Sequence, residues 1–223
     1  MVASAAKSKG VARPRAGRPT RDAAARLREH ILEVATRLLL TQGYGATSIE
    51  EIAREARVSK RTFYDRFADK PTLMRAVVSR LIDGLRPAAH EPLIEGTQLE
   101  TVLIHLAVLI LRAALTPRAL ALHRLIVAES QRFPELARAV LMAGGRQEAV
   151  ALISGLLLRH SRSAKLKPED ADFAAQQLLQ MIVSRPQLHA MGLGTPMTAS
   201  ELDAWAHRTV ALFLRGFRKL SSG

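Results

Sequence analysis

The chain has 223 residues, 48% of them hydrophobic, and carries 33 Lys and Arg against 20 Asp and Glu, for a net charge of +13 and a pI near 11.2. That is ample apolar mass for one larger domain or two small ones, and the charge calls for an anionic partner, nucleic acid or an anionic membrane. With no cysteine there is neither a disulfide frame nor a thiolate metal site, which fits a reducing, cytoplasmic setting.

The charge is concentrated at one end. Residues 1–21 hold six basic side chains and no acid, and residues 22–80 hold 11 basic and 8 acidic, so the first 80 residues carry +9 of the total. The opening stretch MVASAAKSKG lacks the apolar core of a signal peptide. Residues 1–20, rich in Ala, Ser, Gly, Pro, Lys and Arg without periodicity, read as a flexible basic arm. Its RPRAGRP tract places Arg13, Arg15 and Arg18 on an extended ribbon suited to a narrow minor groove. An unordered solubilising tail accounts for that tract equally well.

Helical periodicity starts at residue 22. Leu27, Ile31, Ala35 and Leu38 recur at spacings of three and four up to Gly43, which predicts a helix over 22–41. Ser48 and Glu51 have capping-box spacing and open a short second helix ending near Arg57. Ser59 caps a third, with Phe63 and Phe67 pointing inward, and Asp69 with Pro71 starts a fourth. Beyond residue 85 the pattern stays helical, with helices expected over 98–115, 117–130, 134–162, 168–190 and 198–218. Thr198 and Glu201 form a second capping box, followed by a stripe of Leu202, Trp205, Thr209, Phe213 and Phe217. Pro186 should kink or break its helix near Arg185. The longest apolar run, VLIHLAVLIL at 102–111, is about half the ~20 residues of a membrane span, so no membrane contact is expected. The fold class is all-α. The domains are the arm over 1–20, a three-helix head over 21–69 and a helical body over 70–223.

Two short helices joined by a tight turn, the second opening with small and basic residues, have helix-turn-helix geometry. Anchoring by Phe63 and Phe67 leaves Lys60, Arg61 and Thr62 to meet base edges, where Arg or Lys matches guanine and Thr the thymine methyl. Tyr64 and Arg66 suit phosphates.

The run TSIEEIAREARVSKRTFYDRFADKPTLMRAV resembles the DNA-binding signature of the TetR family of bacterial transcriptional regulators. LHRLIVAESQRFPELARAVLMAGG and ALFLRGFR resemble the AefR-like type of C-terminal domain in that family. The resemblance implies a homodimeric regulator, a repressor, that binds a palindromic double-stranded DNA operator and is released by a small hydrophobic or amphipathic effector. It also implies that Ser48 and Lys70 join the phosphate contacts and that the last two long helices form the dimer interface, through Leu179, Ile182, Trp205 and Phe213. The implied cavity is assigned to Leu106, Leu109, His123, Val127 and Met181. Arg57 stands where such turns commonly carry glycine. Either the turn differs, or Arg57 accepts a positive φ at a cost of about 1 kcal/mol and offers one more phosphate contact.

Other residues read more plainly. His105, His123 and His160 lack the spacing of a metal site, and GLGTP at 192–196 is a connector. Glu129, near Arg124 and Arg132, suits a helix-surface ion pair, with ligand recognition as the alternative. No nucleophile and base, metal spacing or cofactor loop is present, so neither an enzymatic activity nor a cofactor is expected. A sequence-independent basic DNA-binding protein explains the charge as well as a regulator does, and the body's ligand is open between a small molecule and a protein.

Overall fold

In a computed structural model, residues 21–84, 98–160 and 166–220 are described, and among them every regular element is helical. Arg13, Arg15 and Arg18 of the arm lie outside the described residues. The head comprises α1 (Arg21–Gln42), α2 (Ile49–Glu55) and α3 (Lys60–Tyr64), and α4 (Lys70–Asp83) leads away from it. The body comprises α5 (Leu99–Ala114), α6 (Pro117–Glu129), α7 (Pro134–Met142), α8 (Gly145–His160), α9 (Pro168–Leu188) and α10 (Ala199–Leu220), with a π-helical turn at His189–Leu193. No described helix alone is long and apolar enough to cross a membrane.

Helix starts follow local chemistry. Ser48, Ser59, Asp69 and Thr116 each accept a hydrogen bond from the backbone N–H three residues on, satisfying one of the orphan donors of a first turn. Pro71, Pro117, Pro134 and Pro168 sit in first turns, where no N–H is needed. Stops are equally local. Gly43 ends α1 at φ +94°, and Gly144 at φ +77° divides the single helix expected over 134–162 into α7 and α8.

Two apolar cores hold the chain together. One gathers Ile31, Leu38, Ile52, Phe63, Phe67, Leu73 and Val77 from α1 to α4 and includes Leu122 and Leu125 of α6 with Leu136 and Ala139 of α7. The other lies among α5, α8, α9 and α10, around Leu103, Leu111, Ile153, Leu178, Ile182 and Val210. The division expected after residue 69 is therefore not the division between cores. α4 and the inner faces of α6 and α7 belong to the head's core.

Pro186 does not break α9, which continues to Leu188 with the proline buried inside it. Proline lacks the N–H that would bond the carbonyl of Ile182, four residues earlier. Trp205 of α10 supplies the missing donor: its indole Nε1–H bonds the Ile182 carbonyl at 2.9 Å. The Arg185 guanidinium lies 5.7 Å from the centre of the Trp205 ring, closing the same contact from outside. The proline and the tryptophan are thus complementary residues on neighbouring helices.

Replacing Trp205 by Phe should destabilise the body by about 1–3 kcal/mol, because the Ile182 carbonyl loses the indole donor. In a Pro186→Ala background the restored N–H takes over that carbonyl, and the same substitution should cost at least ~1 kcal/mol less. Urea unfolding of the four proteins measures the difference; equal costs in both backgrounds would show that the pair is not coupled.

Candidate nucleic-acid interface

The α2–α3 unit is built by three fixed points. Ser48 Oγ accepts from Glu51 N at 3.1 Å, and Ser59 Oγ from Thr62 N at 3.0 Å. Between them Arg57 adopts φ +55°, so the turn has the left-handed residue that glycine usually supplies. Two bonds hold it there: Arg57 N donates to Arg54 O at 3.0 Å and Val58 N to Ala53 O at 2.9 Å, the paired closure of a Schellman motif. The third point is aromatic. Phe63 and Phe67 are 0% and 1% exposed with ring centres 5.6 Å apart, each burial stabilising the unit by about 1.5–3 kcal/mol.

This anchoring sorts the rest of the helix by face. Lys60 and Arg61 are exposed, Tyr64 is 49% exposed with its ring edge on Phe63, and Thr62 is half-buried with its hydroxyl bonded to Ser59 Oγ at 2.8 Å. Lys60 Nζ pairs with Glu50 of α2 at 2.8 Å, an exposed contact that holds the Lys60 pKa above and the Glu50 pKa below their usual values, chiefly through the hydrogen bond between them. Arg66 folds back: Nη1 donates to Thr62 O at 3.3 Å, while Nε is buried without a hydrogen-bond partner. Ser48 remains exposed.

Lys70 stands apart from this group. Its ammonium donates to the Tyr44 carbonyl and lies 4.3 Å from the centre of the Tyr44 ring. Burial pulls its pKa below the usual lysine range, partly offset by the carboxylates of Glu129 and Glu135. Glu129 also differs from expectation. Its two oxygens do not form a helix-surface ion pair with Arg124 or Arg132 but accept the backbone N–H groups of Tyr44 at 2.8 Å and Gly45 at 2.7 Å. Tyr44 donates its hydroxyl to Glu135 at 3.1 Å, and its ring meets Phe133 edge-on at 5.0 Å. Spacing rules did not expose this cluster, because Glu129 and Glu135 lie more than 80 residues from the Tyr44 loop that they bond. The one local signal was Gly43-Tyr44-Gly45, an aromatic residue between two glycines.

In the body, the residues assigned to a cavity differ in where they lie and how far they are exposed. Leu106 is buried in the second core, Leu109 and His123 are half-buried, Val127 is 67% exposed, and Met181 lines an open groove of about 870 Å³ between α9 and α10. Burial lowers the His123 pKa, so this imidazole is neutral at pH 7. Of the residues assigned to a dimer interface, Leu179 and Ile182 point into the chain's own core, 5% and 1% exposed, because α9 packs them against α5 and α8. Trp205 and Phe213 are half-buried, and Trp205 lines the groove with Arg185, Arg208, Leu212 and Arg215. No cluster of metal-binding side chains occurs among the described residues.

Residues 31–77 match the bacterial regulatory proteins of the tetR family, and residues 101–219 match the AefR-like transcriptional repressor C-terminal domain, a little over half of the chain. The chain belongs to the TetR family. A putative TetR-family regulator from Mesorhizobium loti is 31% identical, with a TM-score of 0.70 over 88% of this chain and 98% of that one. The flavonoid-responsive regulator FrrA is 26% identical, with a TM-score of 0.72 over 86% and 97%. The transcriptional regulator AcrR of Shigella flexneri is 42% identical over 60 residues, 27% of this chain and 28% of its own length. The match to that curated relative therefore spans only about a quarter of it. This TetR-family protein is a DNA-binding transcriptional regulator with a helix-turn-helix head and a larger helical body.

Arg57 offers a direct test of the turn. Arg57→Gly relieves the positive φ but loosens the unfolded chain, and the net should be a gain of about 0.5–1 kcal/mol. Thermal unfolding checks it, and a loss of stability would mean that the arginine side chain contributes more than its backbone costs.

Proposed function

We propose that this TetR-family regulator is a homodimeric repressor that binds a near-palindromic operator and is released from it by a small hydrophobic or amphipathic ligand. The observation that carries the reading is the sorting of α3: Phe63 and Phe67 are fully buried, and Lys60 and Arg61 stand exposed beside them. In this reading Lys60, Arg61 and Thr62 meet base edges in the major groove, and Ser48, Tyr64 and Arg66 meet phosphates. Binding asks Lys60 to leave Glu50 and Arg66 to leave the Thr62 carbonyl. The first is an exposed ion pair, which contributes weakly, and the second frees a half-buried guanidinium whose Nε already lacks a partner.

Dimerisation is supported by the outward side of α9 and α10, where Leu212 is 64% exposed beside Met181 and Trp205. A large apolar side chain in that setting, rimmed by arginines, suits a second copy better than water. The ligand class is supported by the likeness to FrrA, a flavonoid-responsive regulator, and by the neutral, half-buried His123, which can hydrogen-bond a polar group without bringing charge into an apolar body. A ligand that binds better to a dimer whose heads misfit the operator weakens DNA binding by its differential affinity for the two states.

Selection of bound sequences from random DNA should return an inverted repeat with half-sites about one helical turn apart, or a multiple of it. An enrichment without symmetry would contradict the dimer, and no enrichment at all would point to sequence-independent binding. Against the selected operator, Arg61→Ala should lose about 1–3 kcal/mol of discrimination at one base pair, and Tyr64→Phe should weaken all sequences alike. Calorimetry with a panel of flavonoids and acyl compounds tests release. The reading predicts that the compound that binds also lowers operator affinity, and binding without such a change would contradict it.

A further inference from the structure

The loop between α1 and α2 is shaped to receive the corner between α6 and α7. A Cβ on Gly43 would overlap Glu129 Oε1, and a Cβ on Gly45 would come within 3.2 Å of the Phe133 ring and 3.4 Å of Glu129 Oε2. With both glycines in place, the Glu129 carboxylate closes on two successive backbone amides, and Tyr44 is held between Phe133, Glu135 and Lys70. Lys70 opens α4 and sets its positive charge on Tyr44, within the electrostatic influence of Glu129 and Glu135. The loop is stiff beyond this point, because Thr47 Oγ1 bonds the Gly43 carbonyl at 2.8 Å and Ser48 caps α2 directly.

Glu129 is the last residue of α6, a helix that also packs against α5 and the π-helical turn after α9. One carboxylate therefore joins the body to the loop from which the DNA-facing unit springs. Charge-assisted bonds from two neighbouring amides fix direction as well as distance. We propose that Glu129 is a positioning residue for operator binding: its two bonds set the angle between head and body, and so the half-site spacing that a dimer accepts. This rests on the operator reading above. The shared apolar core holds the head in place by packing, and the two bonds of Glu129 add a directional constraint to it.

The test is spacing selectivity, measured by fluorescence anisotropy at fixed salt on the selected operator and on copies with one base pair added or removed between half-sites. Thermal melts and affinity for a random duplex are recorded alongside. Glu129→Gln keeps the shape but turns one acceptor into a donor facing an amide N–H. It should reduce the discrimination between spacings at least ten-fold and leave random-duplex affinity unchanged. Gly45→Ala perturbs the same joint from the loop side, with Glu129 intact, and should act in the same direction. Full spacing selectivity in either variant, with the melt showing a folded protein, would overturn the proposal. A wild-type protein that prefers no sequence would instead overturn the operator reading, and this inference with it.

Discussion

The structure depends most on the burial of one apolar surface shared by the head and the first part of the body. α1 with only the short α2 and α3 beside it has too little partner surface to bury Ile31, Leu38, Phe63 and Phe67, and small three-helix units are marginal for that reason. α4 completes one side with Leu73 and Val77, and α6 and α7 close the other with Leu122, Leu125 and Leu136. The head is therefore not a separable bead on a linker. Any rearrangement of α6 or α7 reaches the packing beneath α3 without a long chain of intermediaries.

Within that frame, the finer geometry is set by backbone groups that find partners outside their own helix. The carbonyl freed by Pro186 is taken by Trp205, the amides of Tyr44 and Gly45 by Glu129, and the carbonyl of Tyr44 by Lys70. Each bond joins elements distant in sequence and is directional where apolar contact is not. The turn at Arg57 is the local counterpart, where two backbone bonds hold a residue whose Cβ disfavours the conformation. These contacts explain how a protein with few aromatic residues orients its helices definitely.

Most of the fold was legible because its signals are local. Ser48, Ser59, Asp69 and the first-turn prolines mark helix starts within a few residues, and the Phe63–Phe67 spacing declares which side of α3 is buried. The errors share a cause. Gly144 and Gly145 form a turn-marking pair, but helical periodicity on both sides of them outweighed that signal, and the break comes with the positive φ of Gly144. Pro186 was expected to kink or break its helix; that α9 runs on to Leu188 could not be read locally, because the donor that serves the freed carbonyl is 19 residues further on and on another helix. Glu129 looked like a surface residue because its neighbours in sequence are arginines, whereas its partners come from the α1–α2 loop. Leu179 and Ile182 sit on a helix with two apolar faces, and periodicity does not say which one meets the chain's own core. The cavity residues were the least legible, since a lining is defined by the space between helices and not by any one of them.

Native-state hydrogen exchange tests the shared core most directly. The account predicts that the amides of Ile31–Leu39 in α1 and those of Leu122–Ile126 in α6 open together, with one free energy and one dependence on denaturant. If α1, α2 and α3 instead opened as a unit of lower free energy, while α4, α6 and α7 stayed protected with α5, α8, α9 and α10, head and body would be independent modules and the account would be contradicted.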